Sequence, residues 1–168
     1  MLSSKHLLEQ AERLLVAPPG EERSRPTDRC RAVSSAYYAV FHAGLTAAAD
    51  QAIGADARGT VLYSLAYRSI DHGKMKGLCR QVLQKGPSSA IKRFVPEEGW
   101  GHAIAGYADS FVTLNELRMQ ADYDPTYVVL PSEVAYHILT ARSAINLLDA
   151  AEPEPRRAFL TLLLFPPR

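Results

Sequence analysis

Arg31-Ala-Val-Ser-Ser-Ala-Tyr37-Tyr38-Ala-Val-Phe41-His42-Ala-Gly44 is the stretch that decides the fold. Its small residues Ala32, Ser35, Ala36, Ala39 and Ala43 recur every three or four positions, the repeat of a helix face, and small side chains on that face let a second helix approach closely. The stretch therefore predicts the central packing seam of a helical bundle, on a long helix running from Arg29 to about Ala49 and capped by Thr27 or Asp28. Tyr37, Tyr38 and His42 sit beside the seam, and each brings a polar atom that needs a partner if buried. Three roles are open to His42: a base, a ligand for phosphate, or a hydrogen-bonded core histidine.

The same period continues outward in both directions, with no alternating strand pattern. Leu7, Leu8, Ala11, Leu14 and Leu15 form a stripe that Pro18-Pro19-Gly20 ends. Thr60 to Ile70 reads as a third helix, interrupted by Asp71-His72-Gly73, after which Met75, Leu78, Cys79 and Val82 resume the stripe. Phe94 to Gly101 is an irregular connection that Trp100 is expected to plug onto the bundle. A fourth helix runs from His102 to about Asp122. Thr126 to Leu130 is extended, and Pro131-Ser132-Glu133 opens a last helix with Val134, Ile138, Ala141, Ile145 and Leu148 inside, ended by Glu152-Pro-Glu-Pro155. The expectation is an all-α, up-and-down bundle of about five helices over residues 1–152. Residues 153–168 form a tail whose apolar part, Ala158 to Phe165, packs on the core or on a partner chain.

A chain of 168 residues with 47% hydrophobic content can bury a core without metal or disulfide staples. Cys30 and Cys79 lie far apart with no C-x-x-C spacing, as buried thiols do in a reducing cytoplasm. The first residues lack an apolar signal core, and no run approaches the roughly 20 apolar residues of a membrane span, so a cytoplasmic protein with no membrane contact is expected.

Net charge is only +1. Residues 58–93, however, carry eight lysines and arginines against the single acid Asp71. A basic central third can attract phosphate even when the whole chain is nearly neutral. Candidate nucleotide or nucleic-acid contacts are Arg68, His72, Lys74, Lys76 and Arg80, together with Tyr38 and His42. The alternative for the basic run is a solvated helix face.

A second stretch, Phe111-Val-Thr-Leu-Asn-Glu-Leu-Arg118-Met-Gln-Ala-Asp122-Tyr123-Asp124-Pro125, places Arg118 on the stripe of Tyr107, Phe111 and Leu114. A lone guanidinium on an apolar face costs several kcal/mol, so Arg118 should meet an anion or line a polar cleft. Asp122, one turn on, can be that anion, closing a helix end that Pro125 terminates.

The two stretches together resemble HEPN domains, in particular a prokaryotic branch carrying the Ala-Asp-Tyr-Asp-Pro run seen at 121–125. The resemblance covers Arg29 to about Leu148. It implies a dimerising helical bundle, often encoded beside a minimal nucleotidyltransferase in toxin-antitoxin or defence loci, whose active members are metal-independent ribonucleases needing no cofactor. Their signature is an arginine followed after four to six residues by a histidine. Imidazole can take the 2′-hydroxyl proton and guanidinium can meet the charge growing on phosphate. Arg118 holds the arginine position, but Tyr123 stands where the histidine would be. The resemblance thus marks Arg118, Asp122 and Tyr123 as candidate catalytic residues. With a phenol pKa of about 10, Tyr123 is a poor base, and Asp122, His42 or His72 would have to substitute.

Two functional classes follow: a homodimeric module that binds a nucleotide, RNA or a nucleotidyltransferase partner without the standard ribonuclease motif, or a metal-independent endoribonuclease. No G-x-S-x-G, Walker-type loop, G-x-G-x-x-G or H-E-x-x-H is present, which argues against a hydrolase triad, a P-loop ATPase and a zinc site.

Overall fold

The computed structural model describes residues 2–86 and 88–167, and they form an all-α bundle. Among the described residues eight helices run in chain order: α1 (Ser4–Leu14), α2 (Pro26–Ile53), α3 (Val61–Arg68), α4 (His72–Leu83), α5 (Ser89–Lys92), α6 (Gly101–Tyr123), α7 (Pro131–Ala150) and α8 (Pro153–Leu164), with one 3-10 turn at Ala55–Ala57. The count exceeds five because α3 and α4 are separate helices, the 89–92 connection makes a turn of its own, and the tail coils into α8.

α2 is the axis of the bundle, packed on α1, α3, α6, α7 and α8. Ala32, Ala36, Ala39, Val40, Ala48 and Ala49 are sealed from solvent, so neighbours surround the helix rather than meeting one stripe. It begins at Pro26, before the expected Thr27 or Asp28 cap. Proline suits the first helical position because its missing N–H needs no partner there, and Asp28 falls in the first turn, near the positive helix end. It also runs to Ile53, past the expected Ala49, and stops at Gly54, whose φ of 100° suits glycine.

Gly44 lies where Tyr107 and Met75 cross α2. A Cβ there would sit 2.8 Å from Met75 Cε and closer still to Tyr107 Oη, so only glycine permits this approach of α6 and α4. Tyr107 Oη in turn donates to Val40 O at 3.2 Å.

α4 begins at His72 because the Asp71 side chain caps it, accepting from Lys74 N at 2.8 Å. Met75, Leu78, Cys79 and Val82 are buried, as the periodicity predicts, and so is Trp100. On α7, Ala144 joins Val134, Ile138, Ala141 and Leu148 in the core while Ile145 is half-buried. Pro153 both ends α7 and opens α8, whose Phe159, Leu160, Leu162 and Leu163 are buried against α2, α4 and α6. Among the described residues no helix is long and apolar enough to cross a membrane.

Candidate functional site

Arg118 is carried on the last turns of α6, directly opposite Tyr38 on α2. Its Nη2 donates to Tyr38 Oη at 3.0 Å, and its Nε lies 2.8 Å from Asp122 Oδ2. That Nε is sealed and makes no aligned hydrogen bond, so the contact with Asp122 is an ion pair rather than a directed bond. The guanidinium also faces three aromatic rings, with its carbon 5.6 Å from the Tyr38 centroid, 6.0 Å from Tyr37 and 5.3 Å from Tyr123. Burial works against the charge, yet the Tyr38 hydroxyl and the Asp122 carboxylate outweigh it and raise the Arg118 pKa above the ordinary arginine value.

Asp122 is shared. Ser34 Oγ donates to its Oδ1 at 2.6 Å, and the exposed Arg31 approaches the same oxygen at 3.9 Å. Tyr123, on the outer side, is largely exposed and caps Arg118 with its ring.

Two histidines complete the cluster. His72 Nδ1 is 2.7 Å from Tyr37 Oη, and its ring centroid lies 4.1 Å from that of Phe41 and 5.8 Å from that of Tyr38. His42 Nδ1 is 2.6 Å from Tyr67 Oη on α3, and the ring stacks on Tyr38 at 6.1 Å. Tyr38 is thus the hub that touches Arg118 and both imidazoles. Burial lowers the pKa of each histidine, helped at His42 by His72 and at His72 by Arg118 against a smaller opposing pull from Asp71, which favours the neutral imidazole in both. Burial pushes the Tyr37 phenol up to about 12 and also raises that of Tyr67, so each tyrosine meets its histidine as a neutral hydroxyl. Neither Nε2 has a protein hydrogen-bond partner among the described residues, and neither is sealed from solvent. Each ring is therefore anchored through one nitrogen and offers the other.

The remaining sequence candidates fall elsewhere. Lys76 and Arg80 project from α4 toward α6, where Glu116 meets them at 3.7 and 3.3 Å. Lys74 turns back to donate to Ser69 O at 2.8 Å, and Arg68 is exposed at the end of α3. Of the basic run only His72 joins Arg118. Ser34 and Tyr67 were not among the predicted site residues. Ser34 carried a faint signal, lying one helical turn before Tyr38, whereas Tyr67 depends on how α3 folds back on α2.

A cavity of about 560 Å³ opens beside the cluster, between the start of α2 and the end of α6. Arg31, Asp122 and Tyr123 line it, whereas Arg118, the ion-pair partner of Asp122, is not among its lining residues. Among the described residues no group of three or more His, Cys, Asp or Glu side chains is arranged to hold a metal ion. No family model, curated protein or solved structure matches this chain.

Proposed function

We propose that the chain is a HEPN-like module that binds RNA or a nucleotide at the Arg118 cluster as a homodimer, within a toxin-antitoxin or defence system and beside a nucleotidyltransferase partner. The observation that carries the reading is the convergence of Arg118 with Tyr38, His42 and His72, from α6, α2 and α4, on one partly open aromatic patch. A cation next to aromatic faces and imidazole donors suits a phosphate attached to a base. Arg118 is already balanced by Asp122, so a phosphate must compete with that carboxylate or recruit Arg31 from the neighbouring cavity. Fluorescence anisotropy with a labelled single-stranded RNA tests the reading. Binding should weaken as salt rises and fall at least about tenfold in Arg118→Ala. Affinity unchanged in that variant removes Arg118 from the site.

A second reading, a metal-independent endoribonuclease, is favoured by His72, close enough to Arg118 to feel its charge, with His42 beyond it against Tyr38; either imidazole could take the 2′-hydroxyl proton that Tyr123 cannot. Cleavage of RNA in the presence of a chelator, lost in Arg118→Ala and in His72→Ala, distinguishes this from binding alone.

A further inference from the structure

α3 is incompletely covered. Of its apolar side chains only Tyr63 is buried, while Val61, Leu62 and Leu65 are 84%, 66% and 68% exposed. Three neighbouring aliphatic residues on two turns of one helix form an apolar patch that the described residues leave uncovered. The helix is held to α2 largely through its other side, by Tyr63 Oη donating to Asp50 Oδ1 at 2.8 Å and by the Tyr67–His42 contact. Open grooves flank it, one of about 480 Å³ along Val61 and Leu65 and one of about 330 Å³ along Tyr63 and Tyr67. Both end on Arg68, and neither is lined by a carboxylate.

Asp56, exposed on the 3-10 turn, lines neither groove, and two other nearby acids are committed elsewhere. Asp50 holds Arg58 and Tyr63, and Asp71 caps α4. Arg68 makes no ion pair among the described residues. Lys74, a short way along the chain, donates to a backbone carbonyl and meets no carboxylate among the described residues.

We propose that α3 is the docking site for an acidic amphipathic helix of a partner protein, whose apolar stripe covers Val61, Leu62 and Leu65 and whose carboxylates meet Arg68. Helix-in-groove recognition places anchors at i, i+3, i+4 and i+7, which matches two turns of aliphatic side chains. Charge selects the occupant. A second copy seated on the same patch would offer Arg68 no carboxylate from its own groove residues, and nucleic acid would leave the three aliphatic side chains without a counterpart. The site is independent of the Arg118 reading, although a helix in the second groove would rest on Tyr67, the residue that anchors His42.

The probe is a fluorescein-labelled Glu/Leu peptide of about 18 residues, long enough to form a helix, with leucines at i, i+3, i+4 and i+7. Its controls are the same peptide with scrambled order and a Lys/Leu version. The acidic peptide should bind saturably to the wild-type chain, and Leu65→Asp and Arg68→Glu should each weaken it by about tenfold or more. Arg68→Glu should prefer the Lys/Leu peptide. Both positions are exposed, and circular dichroism melts should show unchanged folding. Failure of the acidic peptide to saturate, equal binding of the scrambled peptide, or indifference to both substitutions overturns the proposal. So does sedimentation showing a dimer that Leu65→Asp dissociates without peptide, because the patch then belongs to a second copy.

Discussion

Asp122 faces Arg118 with one oxygen and Ser34 with the other, at 2.8 and 2.6 Å, so a single carboxylate joins the end of α6 to the middle of α2. Both charged side chains are 14% exposed. Removing one partner of an enclosed pair leaves the other charge without compensation, and we expect Asp122→Ala to cost about 2–3 kcal/mol, below the roughly 3–5 kcal/mol of a fully buried pair because some solvent reaches this one. The double variant Arg118→Met/Asp122→Leu should recover most of that loss. Urea unfolding of the three proteins measures both values, and a double variant as unstable as Asp122→Ala would show that packing rather than charge sets the cost.

Gly44 and Gly77 test the helix crossings in opposite directions. Gly44→Ala must displace Tyr107 and Met75, and overpacking of this kind costs about 1–3 kcal/mol. Gly77, on α4, has nothing within 4 Å of a Cβ, so Gly77→Ala should stabilise by about 0.5–1 kcal/mol through helix propensity. Thermal melts of the pair should move apart, and a shift of the same sign in both would contradict the crossing.

His42 and His72 have folded pKa values below the ordinary 6.5, chiefly through burial, and His137 is lowered likewise. Between the folded value and 6.5 the unfolded chain binds more protons than the folded one, so unfolding free energy rises with pH across that window. Acidification below about pH 6.5 should therefore destabilise the protein. A His42→Gln/His72→Gln variant should show a shallower slope between pH 5 and 7.5, with the remainder belonging to His137. An unchanged slope would place the proton uptake elsewhere.

α8 gives the most direct test of how the C-terminal stretch is used. Phe159 is fully buried, edge-on to Tyr107 at 5.7 Å. Truncation to Ala should cost about 3–5 kcal/mol, the range for a buried aromatic. A loss below about 1 kcal/mol would mean the stretch is peripheral to folding.

The helical character of this chain was legible because period and punctuation agree. The small residues of α2 mark the seam that other helices approach, and Pro26, Gly54, Pro131 and Pro153 stand at helix boundaries. The break between α3 and α4 was legible at Asp71-His72-Gly73, but its bounds were not: α3 ends at Arg68 rather than Ile70, and His72 and Gly73 open α4 because Asp71 turns its side chain onto Lys74 N. The fate of the tail was open for a related reason, since Phe159 and its leucines could satisfy either a core or a partner until α2, α4 and α6 were assembled. At the site, the Arg118–Asp122 pairing followed from i,i+4 spacing on one helix. Tyr38, His42 and His72 were legible as candidates by residue type, but their convergence on Arg118 required three helices to be packed. The basic run showed the limit of charge counting along the chain, because Glu116 reaches Lys76 and Arg80 from a helix about 40 residues away.

The central claim is that Arg118 and its aromatic partners receive an anion. Nitrogen-15 NMR of the arginine Nε–Hε group, with single-stranded RNA as titrant and Arg118→Lys to assign the signal, observes the proposed contact itself. The expected result is a saturable shift of the Arg118 resonance together with the His42 and His72 ring signals. Shifts confined to other arginines such as Arg93, with the Arg118 resonance unmoved, would contradict it.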